Sequence, residues 1–283
     1  MTQAAAAGGV LVLSPGAGNM DPKTEARLRE AFSDHAVVVL KGRRGFLKNI
    51  PQGVPVVVAG GDGTIGFVAR ELVDTDHPLG ILSLGTYNNF ARSLGLPTEL
   101  GEAIEVVKTG RPRPITVGRV NGIAFLEVAA LGLFGEAISL GEAAKDRTFG
   151  KLRERLRAVT GARPCHYRLS GDLDGEGDAM SLVFANTPST GVQLPIAAKT
   201  PEDPFLELSV HAGSSPTDIV GRILASSVLQ KHEETADAVF RFRRLEVTTR
   251  PRAPIYTDNA RAGRTPATVT AEVGAFRVIL GPK

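Results

Sequence analysis

Short apolar runs alternate with longer mixed stretches through the first third of the chain. Val10-Leu11-Val12-Leu13, Ala36 to Leu40, Pro55 to Ala59 and Leu79 to Leu84 are such runs. They are apolar at both parities, so they read as strands buried on both faces. Asp21 to Ser33 predicts a helix, with Asp21 as N-cap and Pro22 at its first position. Thr64 to about Val73 and Asn88 to Leu94 predict two more, the last stopped by Gly95 and Pro97. Strands alternating with helices imply a parallel sheet covered on both faces, a three-layer α/β domain.

The pattern changes near Gly110 to Pro114. Ile115 to Val120 and Ile123 to Val128 flank Asn121-Gly122, a strong hairpin signal. Arg168 to Leu173 and Met180 to Ala185 flank Asp174-Gly175 and read as a second hairpin-like pair. Leu206 to His211, Ala238 to Thr248 and Thr268 to Leu280 add further strand character. In Phe240-Arg241-Phe242-Arg243 the alternation turns both phenylalanines inward. Helices are expected at about 150–160 and after Pro216. The chain therefore reads as an α/β domain at 1–112, with completion by a tail at about 270–283 left open, and a mainly antiparallel β-sandwich domain at 113–269.

Composition narrows the function classes. The 283 residues are 42% hydrophobic and 22% charged, which suits a globular chain and not a disordered one. A net charge of +3 favours anionic substrates or surfaces without making a nucleic-acid binder. Cys165 is the only cysteine, which excludes an intrachain disulfide and a cysteine zinc site and suits a reducing cytoplasm. No stretch approaches the roughly 20 apolar residues of a spanning helix, so any membrane contact is expected to be peripheral, at the inner face. Lys145, Arg147, Lys151, Arg153, Arg155 and Arg157 read as a solvated helix face ahead of an anionic-membrane surface. His35, His77, His166, His211 and His232 lack zinc spacing, and neither a Gly-x-Ser-x-Gly turn nor a Walker-type loop is present.

Two turns carry candidate chemistry. Gly60-Gly61-Asp62-Gly63-Thr64 follows a buried run and opens a helix. Strand, glycine turn and helix N-terminus present backbone N–H groups to a phosphate. Asp62 adds a hard oxygen ligand where nucleotide-bound Mg²⁺ would sit. An ordinary strand-to-helix turn is the competing reading, although such a turn rarely needs three glycines around an acid. The second turn is Leu84-Gly85-Thr86-Tyr87-Asn88-Asn89-Phe90-Ala91-Arg92. Gly85 permits close backbone approach, and Thr86 and Asn88 offer caps or ligand contacts. In a parallel sheet both turns lie at the carboxyl edge, where such folds bind ligands.

Together these turns resemble the catalytic domain of diacylglycerol kinases and their relatives, the bacterial lipid kinases, sphingosine kinases and ceramide kinases. The first turn alone is shared with NAD kinases and phosphofructokinases; the second points to the lipid kinase branch. Ser14-Pro15-Gly16-Ala17-Gly18 is similar to that family's Asn-Pro-x-Ser-Gly stretch, with serine replacing the leading asparagine. Asn121 to Gly135 and Asn186 to Leu206 follow the family pattern more loosely. The resemblance implies an ATP-dependent phosphotransferase with an α/β nucleotide-binding domain, a β-rich acceptor domain and an active site in the cleft between them. It implies that Ser14, Gly16, Gly18, Gly60, Gly61, Gly63, Thr64, Gly85, Thr86 and Asn88 hold the nucleotide and that Asp62 acts on Mg²⁺. The implied acceptor is a lipid or lipid-like alcohol such as diacylglycerol. Family members often dimerise, and no interface pattern stands out here.

Two departures fall on the acceptor side. Where the family carries Asp-Gly-Glu, with the glutamate as base, this chain has Asp258-Asn259-Ala260. Alanine accepts no proton, and general-base help is worth about 10²–10⁴-fold. Asp258 is the candidate substitute base, directly or through water, with a plain turn role equally open. Glu202-Asp203-Pro204 replaces an Asp-Gly turn; Asp203 keeps an acidic position that the resemblance links to a structural Mg²⁺, while Pro204 removes a backbone N–H. A lipid kinase, a nucleotide-binding pseudokinase and a kinase of a soluble alcohol or NAD all remain open on these residues.

Overall fold

The computed structural model describes residues 8–40, 50–138, 161–190, 194–213, 215, 236–258 and 261–282. The first elements are β1 (Gly9–Leu13), α1 (Pro22–Ala31), β2 (His35–Val39), β3 (Val56–Gly60), α2 (Asp62–Leu72), β4 (Leu79–Ser83), α3 (Asn89–Ser93) and α4 (Leu100–Thr109). Then come β5 (Arg111–Val120), β6 (Ile123–Phe125), β7 (Val128–Gly132), β8 (Cys165–Gly171), β9 (Gly175–Ala179) and β10 (Ser181–Ala185). The last are β11 (Ser189–Thr190), β12 (Leu194–Pro195), β13 (Leu206–His211), β14 (Ala238–Phe242), β15 (Arg244–Arg250), β16 (Pro254–Thr257), β17 (Arg261–Arg264) and β18 (Ala267–Leu280). The chain divides into two compact units, Met1–Ile115 with Val273–Lys283, and Thr116–Glu272.

The first unit is a parallel sheet in the order β2-β1-β3-β4, joined beyond β4 by Val278 of β18, which pairs with Leu79. Side chains at alternate parities feed the two faces. Leu11, Leu13, Val57, Ala59 and Leu82 pack with Leu28, Phe32, Ala103, Ile104 and Val107, so α1 and α4 cover one face. On α2, Ile65, Val68, Ala69 and Leu72 are buried against β3 and β4. Each wholly buried Leu, Ile or Val contributes about 1.5–3 kcal/mol, so this layering is the main stabilising term. Helix α1 begins as its sequence predicts, with Pro22 at its first position and the Asp21 carboxylate accepting the Thr24 N–H at 2.6 Å. Helix α4 was not anticipated. Its cap is Glu99, whose carboxylate accepts the Glu102 N–H at 2.8 Å, and a glutamate is not a usual N-cap. Gly80 makes room for this helix, since a Cβ there would lie 2.8 Å from Val107 Cγ1.

The second unit is a β-sandwich. One sheet runs β14-β13-β10-β7-β16-β17, antiparallel throughout. Facing it are the β5–β6 hairpin and β9-β8-β15, with β15 paired to the first residues of β18. Phe125, Leu131, Leu169, Leu182, Phe184, Leu208, Phe242, Leu245, Val247 and Val269 fill the interior. Asn121 and Gly122 both take positive φ, 50° and 85°, as the tight turn between twisted strands demands.

Three expectations are corrected here. Strand β8 pairs with Gly175–Ala179, not with the 180–185 run; that run is β10, wholly buried between β7 and β13 in the opposite sheet. A strand apolar at both parities belongs in the middle of a sheet, and β8 takes the polar edge strand instead. Residues 240–243 are not one alternating strand. Phe242 is buried, Phe240 is 41% exposed, and the chain breaks at Arg243, whose N–H the Asp172 carboxylate accepts at 2.7 Å. The helix expected from Thr64 starts two residues earlier, at Asp62. The helices expected at 150–160 and after Pro216, the basic run from Lys145 to Arg157, and Asn259 and Ala260 lie outside the described residues. Among the described residues no helix is long and apolar enough to cross a membrane.

Candidate functional site

In the order β2-β1-β3-β4 the chain leaves β1 for β2 on one side, then returns past β1 to β3 on the other. Loops leaving the carboxyl ends of β1 and β3 therefore diverge, and the crevice between them is where open α/β sheets bind ligands. Ser14–Gly18 follows β1, and Gly60–Thr64 follows β3. The two are tied together: Ser14 N–H donates to Ala59 O at 3.1 Å, and Thr64 Oγ1 donates to Ser14 Oγ at 3.1 Å.

Asp62 is the first residue of α2, not the tip of a loop before it. The N-cap is Gly61, extended at φ −87° and ψ 176°, and it has no side chain to cap the helix. The first N–H groups of a helix have no intrahelical partner and carry its positive end. Here the Thr64 N–H is bonded to Gly61 O at 2.9 Å, and no N-cap side chain stands over the start of the helix.

The glycines of this region divide into two kinds. A Cβ on Gly60 would lie 2.8 Å from Thr64 Cβ, and one on Gly85 would lie 2.9 Å from Gly61 Cα. Those two glycines are required by the fold, because the two turns pack back to back. By contrast, a Cβ on Gly16 or Gly63 would meet nothing within 4 Å among the described residues, and neither takes positive φ. Gly18 is nearly as open, with Leu84 O at 4.0 Å. Among the described residues nothing in the packing asks for glycine at 16 or 63. Bare backbone at an uncapped helix N-terminus is a cradle a side chain would fill, and it suits a polyphosphate.

Asn88 braces the second turn. It sits in the left-handed region, φ 54° and ψ 41°, and is 4% exposed. Its N–H donates to Asp62 Oδ2 at 2.8 Å, its Oδ1 accepts the Gly85 N–H at 3.1 Å, and its Nδ2 donates to Gly85 O at 3.0 Å. Its amide thus turns back on Gly85 and makes no cap to α3, contrary to the capping role expected for it. Thr86 and Tyr87 are the exposed members of this turn. Asp62 is a hard oxygen donor beside the glycine cradle. That fits an Mg²⁺ carried by a polyphosphate, which keeps several waters and takes one or two carboxylates.

The acceptor-side candidates lie in the second unit and are engaged with backbone. Asp258 Oδ2 accepts the Leu126 N–H at 3.3 Å, and its own N–H donates to Val128 O at 3.0 Å. Asp203 Oδ2 accepts the Thr200 N–H at 2.7 Å, while its carbonyl accepts the Thr116 hydroxyl at 2.6 Å. Among the described residues no three His, Cys, Asp or Glu side chains gather. The Lys199 amine also shares the field of Asp203 and Glu207. Asp203 keeps one carboxylate oxygen on the Thr200 backbone, and its part in a structural Mg²⁺ site rests on the resemblance alone.

Sequence patterning overlooked Lys199. It is 2% exposed, and its Nζ donates to Asn186 Oδ1 at 2.6 Å and Asn186 O at 3.2 Å. Burial pushes it down to about 7, against the opposing pull of Asp203 and Glu207. The apolar Ile196-Ala197-Ala198 before it is the one local hint that this lysine goes inside.

Comparison with known proteins adds four findings. The diacylglycerol kinase catalytic domain model matches residues 14–120. A diacylglycerol kinase of Mycobacterium tuberculosis (strain CDC 1551 / Oshkosh) is 31% identical over 240 residues, 79% of this chain and 76% of that protein. A diacylglycerol kinase of Bacillus subtilis (strain 168) is 34% identical over 146 residues, 48% of this chain and 47% of that protein, so the match spans about half the relative's length. In fold, the chain is similar to the crystal structure of a diacylglycerol kinase from Bacillus anthracis str. Sterne, with TM-score 0.72, 22% identity and 97% of each chain covered.

Proposed function

The chain belongs to the diacylglycerol kinase family, and from that premise we propose that it transfers the γ-phosphate of ATP to a hydroxyl of diacylglycerol or a related lipid alcohol. The observation that carries the donor half is the bare backbone of Gly16, in the loop after β1, and of Gly63, in the first turn of α2, whose N-cap has no side chain. In this reading the first N–H groups of α2 and the hydroxyls of Ser14 and Thr64 hold the polyphosphate. Asp62 holds Mg²⁺, which when bound neutralises charge on the phosphoryl group. Asn88 keeps the Asp62 carboxylate in place through its N–H. Asp258 takes the proton of the acceptor hydroxyl, directly or through one water.

Transfer of label from γ-labelled ATP to diacylglycerol in mixed vesicles tests this reading. Activity is expected in the natural chain and its loss in Asp62→Ala. Equal transfer by the two proteins would remove Asp62 from the mechanism, and activity on water-soluble alcohols alone would replace the acceptor class. Ala260, at the position of the family's base, favours a second reading, a pseudokinase that binds Mg²⁺–ATP without turnover. Calorimetric binding of Mg²⁺–ATP with no transfer, joined to transfer by Ala260→Glu, would establish that reading instead.

A further inference from the structure

Among the described residues Lys199 and Glu207 are the most deeply buried charged groups, and the donor chemistry leaves Lys199 unused. Its partner Asn186 is wholly buried, and the surroundings allow its amide one orientation. Nδ2 donates to Thr116 O and to Leu126 O, both at 2.9 Å, while Oδ1 accepts from Lys199 at 2.6 Å. A flipped amide would set its oxygen against two carbonyls and its N–H₂ against a donor. The Leu126 backbone is thereby held on both sides of its Cα. Its carbonyl is bound by Asn186, and its N–H is bound by Asp258 Oδ2. The chain of contacts runs from Lys199 through Asn186 and Leu126 to Asp258, across residues far apart in sequence.

We propose that Lys199 is a positioning residue: by donating to Asn186 it fixes the backbone of Leu126, and through the two peptide groups of that residue it aims the Asp258 carboxylate. Catalytic meaning for this contact chain rests on the reading of Asp258 as the base; the contact chain itself does not. A donor at Nζ is what the geometry requires, and Phe205, 6.0 Å away under the amine, closes that side of it. Asp203 and Glu207 supply the negative field that draws this amine inside.

The test compares wild type, Lys199→Met, Lys199→Gln and Asp258→Ala. Amide hydrogen exchange at Leu126 is read first, then phosphoryl-transfer kinetics. Lys199→Met is expected to speed Leu126 exchange by about tenfold, approaching Asp258→Ala. It is also expected to lower kcat by about tenfold or more with KM for ATP unchanged, as misplacement of a reacting group does. Lys199→Gln keeps an N–H donor on a shorter arm and should fall between the two. Leu126 exchange at the wild-type rate in Lys199→Met overturns the proposal, whatever happens to activity. Should Lys199→Met fail to fold, unchanged Leu126 exchange in Lys199→Gln overturns it equally, and faster exchange supports it. If the natural chain transfers no phosphate at all, the catalytic reading of Asp258 fails, while the exchange measurement still decides whether Lys199 holds the peptide.

Discussion

The two candidate regions are built by opposite means. In the first unit the crevice between β1 and β3 is defined by omission, with glycines that none of the described residues crowds and a helix start without a capping side chain. In the second unit the polar groups are engaged with the protein itself. Asn186, Lys199, Asp203 and Asp258 each bond to protein atoms, mostly backbone. Open N–H groups are a binding surface for an anion, whereas satisfied buried groups make a frame. Substitutions in the first region should therefore change ligand affinity with little change in stability. Substitutions in the second should cost stability first.

The largest effect is expected at Asn186. Asn186→Leu removes the side-chain donor from the Thr116 and Leu126 carbonyls at once and leaves the Lys199 amine only the backbone carbonyl of residue 186. A loss of about 3 kcal/mol or more is expected, because each unsatisfied buried group carries its own desolvation penalty. Urea unfolding measures it. A loss below about 1 kcal/mol would mean that the second region is not the hydrogen-bonded frame described.

Next comes Lys199 and pH. The folded chain holds this amine at about 7, and on unfolding it would regain the ordinary lysine value of 10.5. Between those values the unfolded chain binds a proton that the folded chain does not, so stability from this group rises with pH across that window. It is least below pH 7. The slope approaches about 1.4 kcal/mol per pH unit for one proton. Asp203 and Glu207 oppose the shift, and Glu207 is itself paired with Arg241 at 3.4 Å. Lys199→Met deletes the titration, so the wild-type minus variant difference should grow from pH 7 to pH 10. A flat difference would show that the amine keeps its proton.

These contrasts also explain what could be read from the chain before its fold was known. The donor turn is five contiguous residues after a buried strand, so its chemistry is local and legible. Asn88 was legible as a turn residue, but not as the brace of Asp62, which lies 26 positions away. The frame of the second unit joins Thr116 to Asp203 and Leu126 to Asp258, separations of 87 and 132 residues. No window of sequence contains such a contact. Strand β9, Gly-Glu-Gly-Asp-Ala, went unread for another reason: it is a polar edge held through backbone pairing with β8, so it has no apolar pattern to show.

The smaller predictions separate the two kinds of glycine. Gly60→Ala places a Cβ 2.8 Å from the branch point of Thr64, which sits on the helix and cannot swing aside. Overpacking of that sort costs about 1–3 kcal/mol. Gly63→Ala is the finer test. Its Cβ points into open space within the first turn of α2. Alanine is the better helix former by about 1 kcal/mol, so thermal unfolding should be unchanged or slightly improved. The same methyl group occupies the cradle beside the uncapped N–H groups, so Mg²⁺–ATP affinity should fall by about tenfold, or roughly 1.4 kcal/mol. A variant that gains stability while losing nucleotide separates function from fold at one residue. If Gly63→Ala binds nucleotide as tightly as the natural chain, the bare backbone is not where the polyphosphate lies, and the donor site must be sought elsewhere along the carboxyl edge of the sheet.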